Sequence, residues 1–418
     1  MSSFNYIDGE LHAEQVSLRQ LAAQFGTPLY VYSRSELERQ WRAMDEAFGD
    51  YPHQIYYAVK ANSNLAVLQV LAQLGSGFDI VSGGELQRVL AAGGGAEKVV
   101  FSGVAKSEQE LELAIREGVH CINAESEAEL NRIQLVASRL QTTARVGLRI
   151  NPDVDPKTHP YISTGMAEAK FGINMQAALA RCRTAVDLPN VEIIGIACHI
   201  GSQIVTTTPF TEALQCVLEF VDQMQDLGIS LQHLDLGGGL GIDYNGESPP
   251  SAQQYVGAIL SCLHDRGVTL PVGIEPGRFI CANAGLLLTQ VEYLKSNGDK
   301  RFAVIDAGMN DLLRPALYQA EHRIVNVIES APSQKCLDVV GPVCESSDVM
   351  ARQCNIAAAP GDLLAIMSAG AYGFGMASNY NSRPRAAEVM VQNDRSSLIR
   401  RRESFEDLVR GEQFFEAD

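Results

Sequence analysis

From about residue 55 the chain alternates short apolar runs with longer stretches whose apolar positions recur every three to four residues. The runs fall at 55–59, 78–82, 99–102, 119–123, 144–150, 193–199, 231–236 and 272–275. Most are β-branched and apolar at successive positions, the pattern of strands buried on both faces of a parallel sheet. Between them, amphipathic stretches such as 65–74, 108–117 and 210–227 read as helices. Eight strand–helix units in succession predict a (β/α)8 TIM barrel over residues 31–280. A doubly wound open sheet is the rival pattern, but it usually has fewer units and needs an early nucleotide fingerprint.

After Gly277 the pattern changes. Strand-like runs at 286–295, 301–306, 323–328, 337–340, 363–367 and 387–391 are separated by Gly, Pro and Asn turns, and helical periodicity returns only at 405–409. This predicts a mostly antiparallel C-terminal β domain over 281–418. Residues 1–30 read as β-like around Tyr6, Ile7 and Gly9 and helical at 18–25, and are expected to join that β domain. The class is therefore α/β, a barrel followed by a β domain. A chain of 418 residues has room for both, since such a barrel uses about 250.

Charge and cysteine usage narrow the partners. A formal net charge of −17 argues against nucleic acid and against anionic membrane surfaces. An anionic substrate must then be held by a few placed arginines. The nine cysteines (121, 182, 198, 216, 262, 281, 336, 344 and 354) include no CxxC pair, and their total is odd. That predicts a reducing compartment, with neither a disulfide framework nor a metal site. The first six residues lack the basic and apolar regions of a signal peptide, and no apolar stretch is long enough to span a bilayer. A cytoplasmic protein is expected.

Barrel enzymes keep their chemistry at the C-terminal ends of the strands, so the residues following each predicted strand form a test. The first strand ends in Lys60, with Ala61 and Asn62 after it. The second leads to Ser82-Gly83-Gly84-Glu85 and the third to Gly103. The fifth gives Arg149 and Asn151, and the sixth gives His199, Gly201 and Ser202. The seventh gives Asp235 and Gly237-Gly238-Gly239, the eighth Glu275-Pro276-Gly277-Arg278. The opposite strand ends carry no comparable set, which places one active site at the C-terminal face.

Each residue also has a plainer interpretation. Lys60 as a surface lysine is the ordinary case, but it follows an apolar strand, where desolvation lowers an amine's pKa and makes it an imine-forming nucleophile. The glycine run could be turn glycines alone. Its place after strand seven, with Gly277 after strand eight, matches the phosphate cradle of such barrels. His199 alone would more often be a core histidine, and Glu275 before Pro276 a strand stop.

Taken together, Tyr57-Ala58-Val59-Lys60-Ala61-Asn62, Cys198-His199-Ile200-Gly201-Ser202, Gly237-Gly238-Gly239 and Glu275-Pro276-Gly277-Arg278 resemble the alanine-racemase-like class of pyridoxal phosphate decarboxylases. Arg314-Pro315-Ala316-Leu317-Tyr318, Gly341-Pro342-Val343-Cys344-Glu345-Ser346 and Ala369-Gly370-Ala371-Tyr372-Gly373 resemble the diaminopimelate decarboxylase family, in order over nearly the whole chain. The resemblance implies pyridoxal 5'-phosphate as cofactor, carried by Lys60 as an imine. His199 would stack on its ring, and Ser202, Gly238, Gly277, Arg278 and Tyr372 would hold its phosphate. Glu275 would face the pyridine nitrogen, where a carboxylate keeps the ring protonated and able to accept electrons.

The resemblance further implies Cys344 as proton donor after CO2 loss, a task suited to a thiol. Arg278, Arg314, Tyr318 and Tyr372 with Glu345 would bind substrate, the arginines clamping a distal carboxylate and Glu345 the distal ammonium. The stretch 163–172 is similar to the family's and is expected to act as a mobile cover. A homodimer with shared active sites, a small amino-acid substrate and the last step of lysine biosynthesis complete the implied picture. Another basic amino-acid decarboxylase of the ornithine, lysine or arginine type, a racemase and a non-catalytic homologue remain open alternatives at this point.

Overall fold

The computed structural model describes residues 3–156, 158–159, 162, 164–165, 170–175, 178–179, 188–331 and 336–415. The chain divides into two compact units, Glu38–Ile280 and a second made of Met1–Leu37 with Cys281–Asp418. Half of the 163–172 stretch, namely residues 163 and 166–169, lies outside the described residues.

The second unit begins the chain with a three-stranded antiparallel sheet, β1 (Phe4–Ile7), β2 (Glu10–Ala13) and β3 (Val16–Ser17). A helix, Leu18–Phe25, and strand β4 (Leu29–Ser33) follow.

The Glu38–Ile280 unit then supplies β5 (His53–Ala58), β6 (Gly77–Ile80), β7 (Val99–Phe101), β8 (Cys121–Ala124), β9 (Ala144–Asn151), β10 (Ile173–Asn174), β11 (Val191–Ala197), β12 (His233–Asp235) and β13 (Val272–Ile274). Apart from β10, which pairs in parallel with β9 alone, these strands run in the order β9-β11-β12-β13-β5-β6-β7-β8, and β8 pairs back onto β9. Every pair is parallel. The sheet is therefore a closed eight-stranded barrel, as the alternation predicts. Several helices start at a serine in the loop after a strand. Ser82, Ser107, Ser126 and Ser251 each accept from the amide three residues on, and Ser107 with Glu110 and Ser251 with Gln254 form capping boxes.

The rest of the second unit is β14 (Gly285–Asn297), β15 (Lys300–Ile305), β16 (Ile324–Asn326), β17 (Leu337–Val340), β18 (Val349–Cys354), β19 (Leu363–Ile366), β20 (Ala387–Gln392) and β21 (Arg395–Arg400). Their sheet runs β18-β17-β15-β14-β4-β20-β21, with β19 also on β14 and β16 on β19. Most pairs are antiparallel; β15–β17 and β4–β20 are parallel.

Strands β2, β3, β4, β18 and β21 of this unit escape the sequence pattern, the last three for physical reasons. Strand β4 is buried on both faces. Leu29 and Val31 enter one core with Leu11, Leu18, Leu21, Leu286 and Val389, while Tyr30 and Tyr32 enter another with Leu287, Ile305 and Ile366. Alternation between apolar and polar residues is therefore absent. Strands β18 and β21 lie at the sheet edges and are rich in polar side chains, which is how natural sheets discourage further pairing.

Candidate active site

The barrel brings seven of the proposed residues to its C-terminal strand ends. Lys60 lies in the short turn Val59–Ala61 after β5, and its Nζ donates to Asp79 Oδ2 at 2.5 Å. Asp79 is on β6 and fully buried. His199 follows β11, and its Nδ1 accepts from the Gly238 amide at 3.1 Å. Arg278, just after β13, donates from Nη2 to Ser202 Oγ at 2.9 Å and from Nη1 to the Tyr244 hydroxyl at 2.7 Å. The Glu275 amide donates to the Gly237 carbonyl at 2.8 Å, tying the last two strand ends together.

Only glycine fits the loop after β12. Gly237 has φ +67°, and a Cβ on Gly238 would stand 2.1 Å from the Glu275 carbonyl oxygen. Gly277 is confined too, its Cβ position lying 2.9 Å from Ala61 Cβ. A Gly238→Ala variant is expected to push two strand ends apart and lose about 1–3 kcal/mol of stability, the range for overpacking. Urea unfolding of the barrel would measure it; an unchanged midpoint would show that the loop can relax.

The base of the site is acidic. Burial, then the nearby Asp235 and Asp79, hold Glu275 well above the usual carboxylate range, while Lys60 and Arg149 pull it back. Burial also pushes Asp235 up to about 6, against the pull of its bond from the Gly237 amide. Asn123 donates to the same carboxylate. Burial keeps His199 neutral, and the charges of Arg149 and Lys60 act in the same direction. Because its Nδ1 accepts from an amide, the ring proton sits on Nε2. Arg149 is itself paired with Glu125 at 2.8 Å.

The second unit carries the other proposed residues. Arg314 starts the short helix Arg314–Tyr318, is buried, and donates from Nη1 to His322 Nε2 at 2.7 Å. The Nδ1 of that histidine meets the Met367 carbonyl at 2.8 Å, so it carries the proton and Nε2 is free to accept. Tyr318 closes the same helix. Tyr372 sits at φ 54° in the turn after β19. Cys344 and Glu345 are exposed on the loop between β17 and β18. The Cys344 amide donates to Asn381 Oδ1 at 2.8 Å, and the Tyr380 hydroxyl donates to Glu345 Oε1 at 2.5 Å.

Sequence reasoning passed over Asp79, Tyr244, Tyr380 and Asn381. Asp79 did leave a signal, an acid in the middle of an otherwise apolar strand. Among the described residues, no group of three or more His, Cys, Asp or Glu side chains is placed to hold a metal ion.

A lysine at one strand end, a glycine-lined loop two strand ends away and a buried acid between them define a class. Residues 34–282 match the pyridoxal-dependent decarboxylases through their pyridoxal binding domain. The chain is 54% identical to the diaminopimelate decarboxylase of Pseudomonas aeruginosa, covering 99% of both chains. The solved structure of the Helicobacter pylori diaminopimelate decarboxylase complexed with L-lysine is 43% identical, with TM-score 0.91 over 94% of this chain and 98% of that one. That of the M. jannaschii diaminopimelate decarboxylase in co-complex with L-lysine is 37% identical, with TM-score 0.94 over 99% of both chains. The chain belongs to the diaminopimelate decarboxylase family.

The donor set fits the cofactor of that family, pyridoxal phosphate. Asp79 pairs with the amine of Lys60, Glu275 feels the charges of Lys60, Asp79 and Asp235, and so acid-rich a base suits a protonated ring nitrogen. The loop at Gly238 has no room for a Cβ, so its main chain can approach a bound phosphate closely.

Proposed function

We propose that this chain is a carboxy-lyase that converts meso-2,6-diaminopimelate to L-lysine and CO2 with pyridoxal phosphate. The observation that carries this reading is the near-full-length likeness to the diaminopimelate decarboxylases, spanning both units. When bound, the cofactor supplies an aldehyde that takes up the substrate's amino group and a ring that accepts the electron pair left as CO2 departs.

The chain's own residues do the rest. Lys60 tethers the cofactor, His199 packs against its ring as a neutral imidazole, and Glu275 holds the ring nitrogen. Ser202, Gly238, Gly277, Arg278 and Tyr372 hold the phosphate. Once CO2 has left, Cys344 delivers a proton to the carbon it vacated. Its sulfur gives up that proton and regains one from solvent. Arg278 and Arg314, with Tyr318, read the distal carboxylate, Glu345 reads the distal ammonium, and Tyr372 also contacts the substrate.

The same reading includes a homodimer with shared active sites, located in the cytoplasm, with no nucleic-acid or membrane partner. The net charge of −17 supports the exclusion of nucleic acid. No helix among the described residues is long and apolar enough to cross a membrane.

The test is direct. Purified protein with cofactor should release CO2 and L-lysine from meso-diaminopimelate, and leave ornithine, lysine and arginine essentially untouched. Turnover of those three without diaminopimelate would replace the reading by that of another basic amino-acid decarboxylase. Arg314→Ala is expected to lower kcat/KM for diaminopimelate by about 2–5 kcal/mol, the range for truncating one partner of a desolvated charge pair. Wild-type kcat/KM in that variant, with its melting temperature unchanged, would remove Arg314 from the clamp.

A further inference from the structure

Cys344 and Glu345 are neighbours with different tasks, and both are exposed side chains on a loop. Within the single chain, packing therefore does not set their rotamers, and another device has to hold the loop ready for the partner's barrel. Hydrogen bonds hold the loop from two sides.

Behind it stands Asp348, buried to 3% exposure. Its carboxylate accepts from the Val343 amide at 2.7 Å and from the Met309 amide at 2.7 Å. Its main chain accepts from Gly341 and donates to Glu345. These bonds curl residues 341–348 onto one carboxylate and pin the curl to the turn that leads into Arg314. They fix where the loop is, but they touch neither the Cys344 amide nor the Glu345 side chain.

In front stands the turn Tyr380–Ser382. Asn381 adopts φ 54° and ψ 28°, a left-handed conformation that only a small share of non-glycine residues occupy, with asparagine among the most tolerant. That conformation accompanies the acceptance of the Cys344 amide by its Oδ1. The preceding residue, Tyr380, gives its hydroxyl to Glu345 Oε1. This bond, and then the charge of Glu345, raise the Tyr380 pKa, in keeping with a phenol that donates. The turn is anchored to the framework in its own right. Asn379 donates to Glu403 at 2.6 Å and to the Arg383 carbonyl at 3.1 Å, and the Ser378 amide donates to the Asn310 carbonyl at 2.9 Å.

We propose that Tyr380 and Asn381 are two positioning residues that set the substrate-reading carboxylate of Glu345 and the proton-donating thiol of Cys344 separately. Asn381 fixes the main chain at Cys344 and so the direction in which the thiol points. Tyr380 leaves that main chain alone and fixes the Glu345 carboxylate. The inference rests on the roles given above to Cys344 and Glu345. It adds that two tasks one residue apart are tuned by a second pair of residues one position apart.

The test is a split between kinetic constants on the holoenzyme with diaminopimelate. Tyr380→Phe should raise KM about tenfold, the worth of a hydrogen bond to a charged group, with kcat changed less than about twofold. Asn381→Ala should lower kcat about tenfold with KM nearly constant, and Asn381→Asp, which keeps an acceptor oxygen in place, should restore most of kcat. In a Tyr380→Phe, Glu345→Gln double variant KM should rise no further than in Glu345→Gln alone. Glu345→Gln and Cys344→Ala serve as references. If Glu345→Gln raises KM but Tyr380→Phe does not, the positioning role of Tyr380 falls while the substrate reading stands. If Glu345→Gln itself leaves KM unchanged, the role of Glu345 falls first. Parallel loss of kcat and KM effects in both positioning variants, or no rescue by Asn381→Asp, would show a merely structural turn and overturn the proposal. Melting temperatures separate that outcome from misfolding.

Discussion

Replacing Lys60 by alanine is expected to remove turnover by a factor on the order of 10³–10⁶, the scale seen when a covalent participant is deleted. It should also weaken the cofactor-free fold, because there Lys60 Nζ is 2.5 Å from Asp79, whose side chain is fully buried. Without the amine, Asp79 becomes an uncompensated charge beside Glu275 and Asp235. Removing one partner of a buried pair costs about 3–5 kcal/mol. Lys60 keeps 35% of its side chain in solvent, so about 1–3 kcal/mol is the better expectation here. The two effects are separable. Adding Asp79→Asn to Lys60→Ala should return much of the lost melting temperature and none of the turnover. On the wild type, borohydride should fix the cofactor to a single peptide, the one containing Lys60. Label on any other lysine would move the tether, and no thermal recovery in the double variant would mean that the ion pair does not stabilise the barrel.

Mixing two dead variants is expected to restore about a quarter of wild-type activity. Lys60 belongs to the barrel unit and Cys344 to the β unit. In the homodimer proposed above, a barrel from one chain works with a β unit from the other. Lys60→Ala and Cys344→Ala homodimers should each be nearly inactive, since a general acid alone contributes about 10²–10⁴-fold. Unfolded together in equal amounts and refolded, random pairing makes about half the dimers mixed. Each mixed dimer has one site bearing both lesions and one bearing neither, which gives roughly one quarter of the sites intact. Mixed dimers confirmed by mass with no recovered activity would show that each chain completes its own site.

The barrel was legible because a strand buried on both faces is a short apolar run, and eight such runs recur with helices between them. The cluster at the strand ends was legible for a related reason. Lys60 directly follows a run, His199 and Glu275 end theirs, and Ser202 and Arg278 come three residues after one; the structure brings them to one end of one barrel. Asp79 was hidden because it lies inside a run rather than after it, and only the fold sets it against Lys60. Tyr380 and Asn381 were hidden for a different reason. They act through side-chain bonds to a loop more than thirty residues earlier, and no periodicity announces such a contact. Strand β4 escaped because its five residues are all buried, leaving no polar alternation to count.

That same strand has a consequence for the order of events at the ribosome. Strand β4 ends at Ser33, yet its neighbours are β14 and β20, the latter beginning at Ala387. The residues of the barrel, Glu38–Ile280, are contiguous, and all eight of its strands have been synthesised once β13 emerges. The N-terminal segment must instead wait about 350 residues for β20, roughly 20–70 s at ordinary synthesis rates. During that interval Leu29, Val31, Tyr30 and Tyr32 have no completed sheet to enter, while the whole barrel segment is synthesised. The part of the protein made first is thus completed last, and a nascent chain halted before β20 would carry a finished barrel with an apolar leader still waiting for its partner.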